Sequence, residues 1–124
     1  MRFRIRPDKL AICQLAPQSP IPPWALTGEF HSVTVTPGEI SIICAESAVP
    51  EGVQTQRGYV SFEIDGPFDL NSIGVLDSFL HPLAQVRVPV FAISTYNTDT
   101  ILVHEQFEAR ARQALLQAGH ELVS

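Results

Sequence analysis

The sequence is short of several things, and each shortage removes a class of protein. Only two cysteines occur among 124 residues, Cys13 and Cys44, with no CxxC spacing. A disulfide framework needs more than that, and two isolated thiols suit a reducing, cytoplasmic setting. Basic side chains number 8 against 13 acidic ones, for a net charge of −5. The positive surface that binds nucleic acid is therefore not expected. No apolar run approaches the ~18 residues a membrane helix needs. Arg2, Arg4 and Arg6 open the chain with no apolar stretch behind them, so a secretory signal is not expected either.

The sequence signatures of common catalytic centres are also missing. There is no G-x-S-x-G elbow, P-loop or H-E-x-x-H helix. His31, His81, His104 and His120 fall on separate segments, a spread that suits neither a metal site nor a catalytic dyad. Both cysteines stand among apolar strand residues and read as small buried hydrophobes. No enzymatic activity, metal or cofactor is expected.

What is present is a chain 45% hydrophobic, enough for a real core. Its charge is uneven. Residues 1–62 carry five basic and five acidic side chains, whereas residues 63–124 carry three and eight. Seven of the ten prolines lie in the first half, yet no Gly/Ser-rich linker separates the halves.

Periodicity places the elements. Lys9–Leu15 reads as a strand, and Pro23 opens a helical turn through Leu26. Phe30–Val35 and Ile40–Cys44 form a hairpin around Pro37-Gly38. Residues 50–58 read as irregular. Tyr59–Ile64 alternates as a half-buried strand does. Ile73, Leu76, Phe79, Leu80, Leu83 and Ala84 then mark one helical stripe, which Asn71 or Ser72 is placed to cap. Pro82 lies inside the stripe, so a bend is expected. Val88–Ser94 and Thr100–Val103 form a second hairpin. Gln106–Ala118 is a second helix with Phe107, Ala111, Leu115 and Ala118 inward, and His120–Val123 a last strand.

From Tyr59 the order is thus β-α-β-β-α-β. With right-handed crossovers this becomes an α+β, ferredoxin-like unit: a four-stranded antiparallel sheet with two helices on one side. The hairpins at Ser32–Ile43 and Ala92–Val103 echo one another at an offset of 60 residues. The expected organisation is therefore a degenerate N-terminal half, residues 1–58, and a full second domain, residues 59–124.

Two local features point to a small ligand. The loop Gly66–Gly74 runs into a helix, whose free N-terminal amides can hold a carboxylate. The turn Ser94-Thr95-Tyr96-Asn97-Thr98-Asp99 supplies hydroxyls, an amide and an acid, and Asp99 can bind an ammonium or guanidinium. A free α-amino acid needs both seats.

Ser72-Ile73-Gly74-Val75-Leu76, Pro82-Leu83-Ala84, and Val90 through Asp99 followed by Ile101-Leu102-Val103 and His104-Glu105-Gln106 resemble the ACT domain. The likeness is to the small tandem-ACT proteins related to the CASTOR-type arginine sensor. Leu10–Leu15, Pro20–Trp24 and Phe30–Thr34 resemble their first half. The resemblance implies a non-catalytic amino-acid sensor or regulatory module, cytoplasmic and usually a homodimer. It implies that ligand is held by Asp69, Leu70, Asn71, Ser72, Ile73 and Gly74, with Val75 starting the helix, and by Ser94, Thr95, Tyr96, Asn97 and Asp99. Asp99 would read a basic side chain, and the acidic second half favours arginine or lysine. Arg87, where a small residue commonly ends the first helix, and Pro89, in the next strand, depart from the family pattern. No enzyme domain accompanies the module, so the expected readout is a partner or a change of assembly. The alternative is a structural or protein-interaction module that dimerises without a small ligand.

Overall fold

A computed structural model describes residues 1–123. The strands are β1 (Arg2–Ile5), β2 (Leu10–Leu15), β3 (Ser32–Thr36), β4 (Glu39–Ala45), β5 (Gln54–Ile64), β6 (Phe91–Ser94), β7 (Asp99–His104) and β8 (Glu121–Leu122). The helices are α1 (Val75–Gln85) and α2 (Glu108–Gln117). The chain divides into two units, Asp8–Tyr59 and Met1–Pro7 with Val60–Ser124. The first seven residues thus group with the C-terminal unit and not with the N-terminal half. No helix among the described residues is long and apolar enough to cross a membrane.

The C-terminal unit is the ferredoxin-like α+β fold that the element order implies. Its sheet runs β6-β7-β5-β1-β8. Alternate residues of each strand face one side of the sheet, so Phe3, Val60, Phe62, Ile64, Ile101 and Val103 form one apolar surface. Phe79 and Leu83 of α1 and Ala111, Ala114 and Leu115 of α2 close over it. The Phe3 and Phe62 rings stack at 5.9 Å, and Phe79 meets Phe3 edge-on at 6.1 Å. Such pairs add directional preference to simple burial.

Strand β1 is the addition to the expected four strands. It pairs antiparallel with β5 (Phe3↔Ile64, Ile5↔Phe62) and parallel with β8 (Arg2↔Glu121), so the last strand meets β1 and not the first strand of the motif. The pleat that turns Phe3 and Ile5 to the core turns Arg2, Arg4 and Arg6 the other way. There Arg4 donates to Asp65 at 3.0 Å and Arg6 to Glu63 at 3.0 Å. Arginines at the start of the chain therefore belong to a cross-strand ion ladder.

The stripe on α1 needs two corrections. Phe79 and Leu83 are buried, but Ile73 is 97% exposed because it precedes the helix, and Ala84 is exposed. In α2, Ala114 is buried where Ala118 was expected. Strand β6 begins at Phe91, so Pro89 stands outside it, and β5 already starts at Gln54 within the stretch read as irregular. Arg87 closes α1 with φ 60. Its N–H donates to Ala84 O at 3.1 Å, and Val88 N–H donates to Leu83 O at 3.0 Å. This is a left-handed helix end of the Schellman type, formed here by a non-glycine residue.

In the Asp8–Tyr59 unit, β3 pairs with β4, β4 with β2, and β2 with the start of β5, all antiparallel. Ala11 and Cys13 of β2 pack with Ile40, Ile42 and Cys44 of β4. The short 3-10 turn Pro23–Leu26 adds Ala25 to this core. Burial pushes the Cys44 thiol up from its ordinary 9.0 to about 11, and the neighbouring Cys13 adds to the rise.

A glycine at position 87 relieves the left-handed strain, so Arg87→Gly should raise stability by about 0.5–1 kcal/mol in urea denaturation. A thiol whose folded pKa is raised contributes stability that is whole below its unfolded value and is lost as pH climbs through the folded one. Denaturation midpoints should accordingly fall between pH 9 and about 11, and less so in Cys44→Ala.

Candidate ligand-binding site

The chain leaves β5 at Asp65 and passes through Gly66-Pro67, joined by a cis peptide bond. Phe68 N–H then donates to Asn97 O at 2.7 Å, and the Thr98 hydroxyl donates to Ile64 O at 2.5 Å. These two bonds dock the β6–β7 turn against the loop that leads to α1. A Cβ on Gly66 would lie 2.9 Å from Asn97 O and 3.2 Å from Thr98 Cβ. Glycine is what lets the two segments approach so closely.

Beyond this junction the Asp69 carboxylate accepts from Asn71 N–H at 3.0 Å, and Ser72 N–H donates to Asp69 O at 2.9 Å. This is an Asx turn. The helix then starts from Gly74, which has φ 83 and no side-chain cap. Capping by Asn71 or Ser72 is thus corrected: the left-handed glycine moves the start to Val75, past the reach of either side chain. Val75 as the first helical residue is what the family resemblance implied. The first-turn amides have no side-chain cap, and they carry the positive end of the helix dipole.

The opposing turn is held by its own side chains. Thr95 N–H donates to Thr98 O at 2.8 Å, and the Ser94 hydroxyl donates to Asp99 Oδ1 at 2.5 Å. Asp99 is half-buried.

Between the loop and the turn lies a cavity of about 330 Å³, within the size range of small-molecule pockets. Every residue expected to bind ligand lines it except Asn71 and Ile73. Asn71 is exposed, its backbone engaged in the Asx turn, and Ile73 faces solvent ahead of the helix. Phe68, Leu76, Asp77 and Thr98 line the cavity as well; Phe68 and Thr98 lie within the two expected segments but were not among the residues expected to hold ligand, and Leu76 and Asp77 come from α1. Asp77 carried a usable signal, an acid in the first turn of a helix; the place of Phe68 and Thr98 depends on contacts across the fold.

Asp69, Asp77 and Asp99 line the cavity, and among the described residues no lysine, arginine or histidine does. Asp69 and Asp77 stand on the helix side with the backbone donors and Asp99 on the turn side, a lining that suits a molecule with cationic character. Leu70, Ile73 and Tyr96, on the two flanking segments, are 66%, 97% and 79% exposed. The histidines do other things: His104 Nδ1 accepts from Gln106 N–H at 3.2 Å where the chain enters α2, and His31 lies 3.1 Å from Gly28 O.

A family model described as the ACT domain matches residues 54–117, and an N-terminal-domain model matches residues 8–52. A solved protein from Agobacterium tumefaciens has a TM-score of 0.93 at 31% identity, over 98% of this chain and 91% of its own. A Vibrio cholerae protein of unknown function has a TM-score of 0.71 at 15% identity, over 94% and 88%. The regulatory subunit of aspartate kinase from Thermus thermophilus, in its ligand-free form, has a TM-score of 0.63 at 13% identity, over 90% and 93%. The last two show likeness of fold alone. No curated protein matches the chain.

Gly66→Ala should cost about 1–3 kcal/mol in chemical denaturation, since backbone on both sides must shift to admit the methyl group.

Proposed function

This chain belongs to the ACT-domain family, and we propose that it is a non-catalytic module that binds a free amino acid in the cavity beside α1. The observation that carries this reading is a cavity bounded both by the uncapped first turn of α1 and by Asp99. The ligand's carboxylate would take the amides of that turn, and its cationic groups would face the carboxylates. With three acids and no basic side chain around the cavity, a basic amino acid such as arginine is the ligand we favour. The narrower likeness to the arginine-sensor branch rests on the same Ser94–Asp99 turn.

The Asp8–Tyr59 unit is a degenerate ACT-like half in this reading. Its strands follow the order β5-β2-β4-β3, as those of the other unit follow β1-β5-β7-β6. Short 3-10 turns stand where helices would be. We place the protein in the cytoplasm, where two buried free thiols persist without oxidation. Exposed Leu70 and Tyr96 at the cavity, with exposed Ile73 on the adjoining loop, support a homodimer, because exposed apolar side chains close together mark an interaction surface. The same exposure favours the second reading, a module that only pairs with protein.

A thermal-shift screen of the twenty amino acids at millimolar concentration should show stabilisation by one or a few, a basic one foremost. Asp99→Asn should weaken that ligand by about 1.5–3 kcal/mol, or roughly 10- to 150-fold, in calorimetry. A chain that sediments as a tight dimer and ignores all twenty belongs to the second reading instead.

A further inference from the structure

Helix α1 runs through Pro82, and proline has no N–H to give the carbonyl four residues earlier. That carbonyl belongs to Ser78. The proline ring also crowds it, and a helix carbonyl stripped of its partner in a partly buried segment is costly. The missing bond is replaced from a distant part of the chain. Nε2 of His120 lies 2.8 Å from Ser78 O, and because a carbonyl only accepts, Nε2 carries the proton and donates. His120 is 7% exposed, and its ring stacks on Phe79 at 3.9 Å with 19° between planes.

The backbone holds His120 in that place. Its N–H donates to Leu115 O at 3.1 Å, Glu121 N–H to Met1 O at 2.8 Å and Val123 N–H to Phe3 O at 2.8 Å. Strand β8, anchored on β1, thereby carries the ring to α1. Ser78 in turn closes the first turn of α1: its N–H donates to Gly74 O at 3.0 Å and its hydroxyl to Val75 O at 2.6 Å. Val75, Leu76 and Asp77 of that turn line the cavity.

We propose that His120 is a positioning residue for the cavity: it supplies Ser78 with the hydrogen bond that Pro82 withholds, and so fixes the turn of α1 that forms one cavity wall. Its effect on ligand rests on the amino-acid-binding reading; the hydrogen bond itself does not.

Thermal denaturation of the full chain without ligand tests the bond through a double-mutant cycle. His120→Phe keeps a ring to stack on Phe79 and loses the donor, while Pro82→Ala returns a helical N–H to Ser78 O. His120→Phe should lower Tm by roughly 4 °C or more beside Pro82, and clearly less in the Pro82→Ala background. Equal losses in both backgrounds would reduce His120 to packing and overturn the proposal. Should His120→Phe fail to fold, ring nitrogen shifts of the unaltered protein decide: an Nε2–H tautomer supports the bond, and an Nδ1–H tautomer refutes it. With arginine as probe, His120→Phe should weaken binding roughly threefold or more, and Pro82→Ala should restore it. An unchanged affinity removes the positioning role. If arginine does not bind the unaltered chain, the reading of its function as a basic-amino-acid binder fails, and the ligand-free cycle alone settles the role of His120.

Discussion

The cavity exists because two segments far apart in the chain touch at one junction. Thr98 Oγ1 bonds Ile64 O across a separation of 34 residues, and Phe68 N–H bonds Asn97 O beside it. Each bond alone is worth little net free energy. Their consequence is geometric: with Gly66 lacking a side chain, the β6–β7 turn lies against the loop that enters α1, and both become walls of the same space. Residues of the turn, Asp99 among them, and of the first turn of α1 then line a common volume.

The helix forming the second wall carries two departures from regularity. A left-handed glycine at its start leaves the first amides uncapped, and a proline in its middle deprives Ser78 of a partner. The Ser78 carbonyl is satisfied from β8, whereas the first-turn amides have no side-chain cap. A fully capped, uninterrupted helix would be more stable in isolation. Local rules broken in this way, with the compensation found elsewhere in the fold, are common at functional sites.

Much of the architecture was legible in the residues because it follows from period. The alternation in Tyr59–Ile64, the stripe through Phe79 and Leu83, and the turn at Pro37-Gly38 each depend on neighbours within a few positions. The same rule applied to Arg2-Phe3-Arg4-Ile5-Arg6 marks a strand, but no element was expected there, since four or five residues with three charges carry little pattern. Strand β8, only two residues long, carries too little pattern to reveal that it meets β1. Both loop segments around the cavity were visible as turn-rich sequence; that Asn71 and Ile73 fall outside its lining was not, since that depends on how the loop is folded by the Asx turn before the left-handed Gly74.

The sequence by itself determined most of the stretches that become strands and helices, which faces are apolar, and the presence of an acid-bearing turn and of a helix entry bounded by Gly66 and Gly74. Those properties are local, decided by side-chain spacing and backbone freedom over a handful of residues. Only the tertiary structure decided that β1 lies between β5 and β8, that Phe68, Asp77 and Thr98 join the cavity, and that His120 completes α1. Each of these depends on which unsatisfied backbone group meets which donor across a long separation, and that is settled only when the packed core fixes the distances between elements.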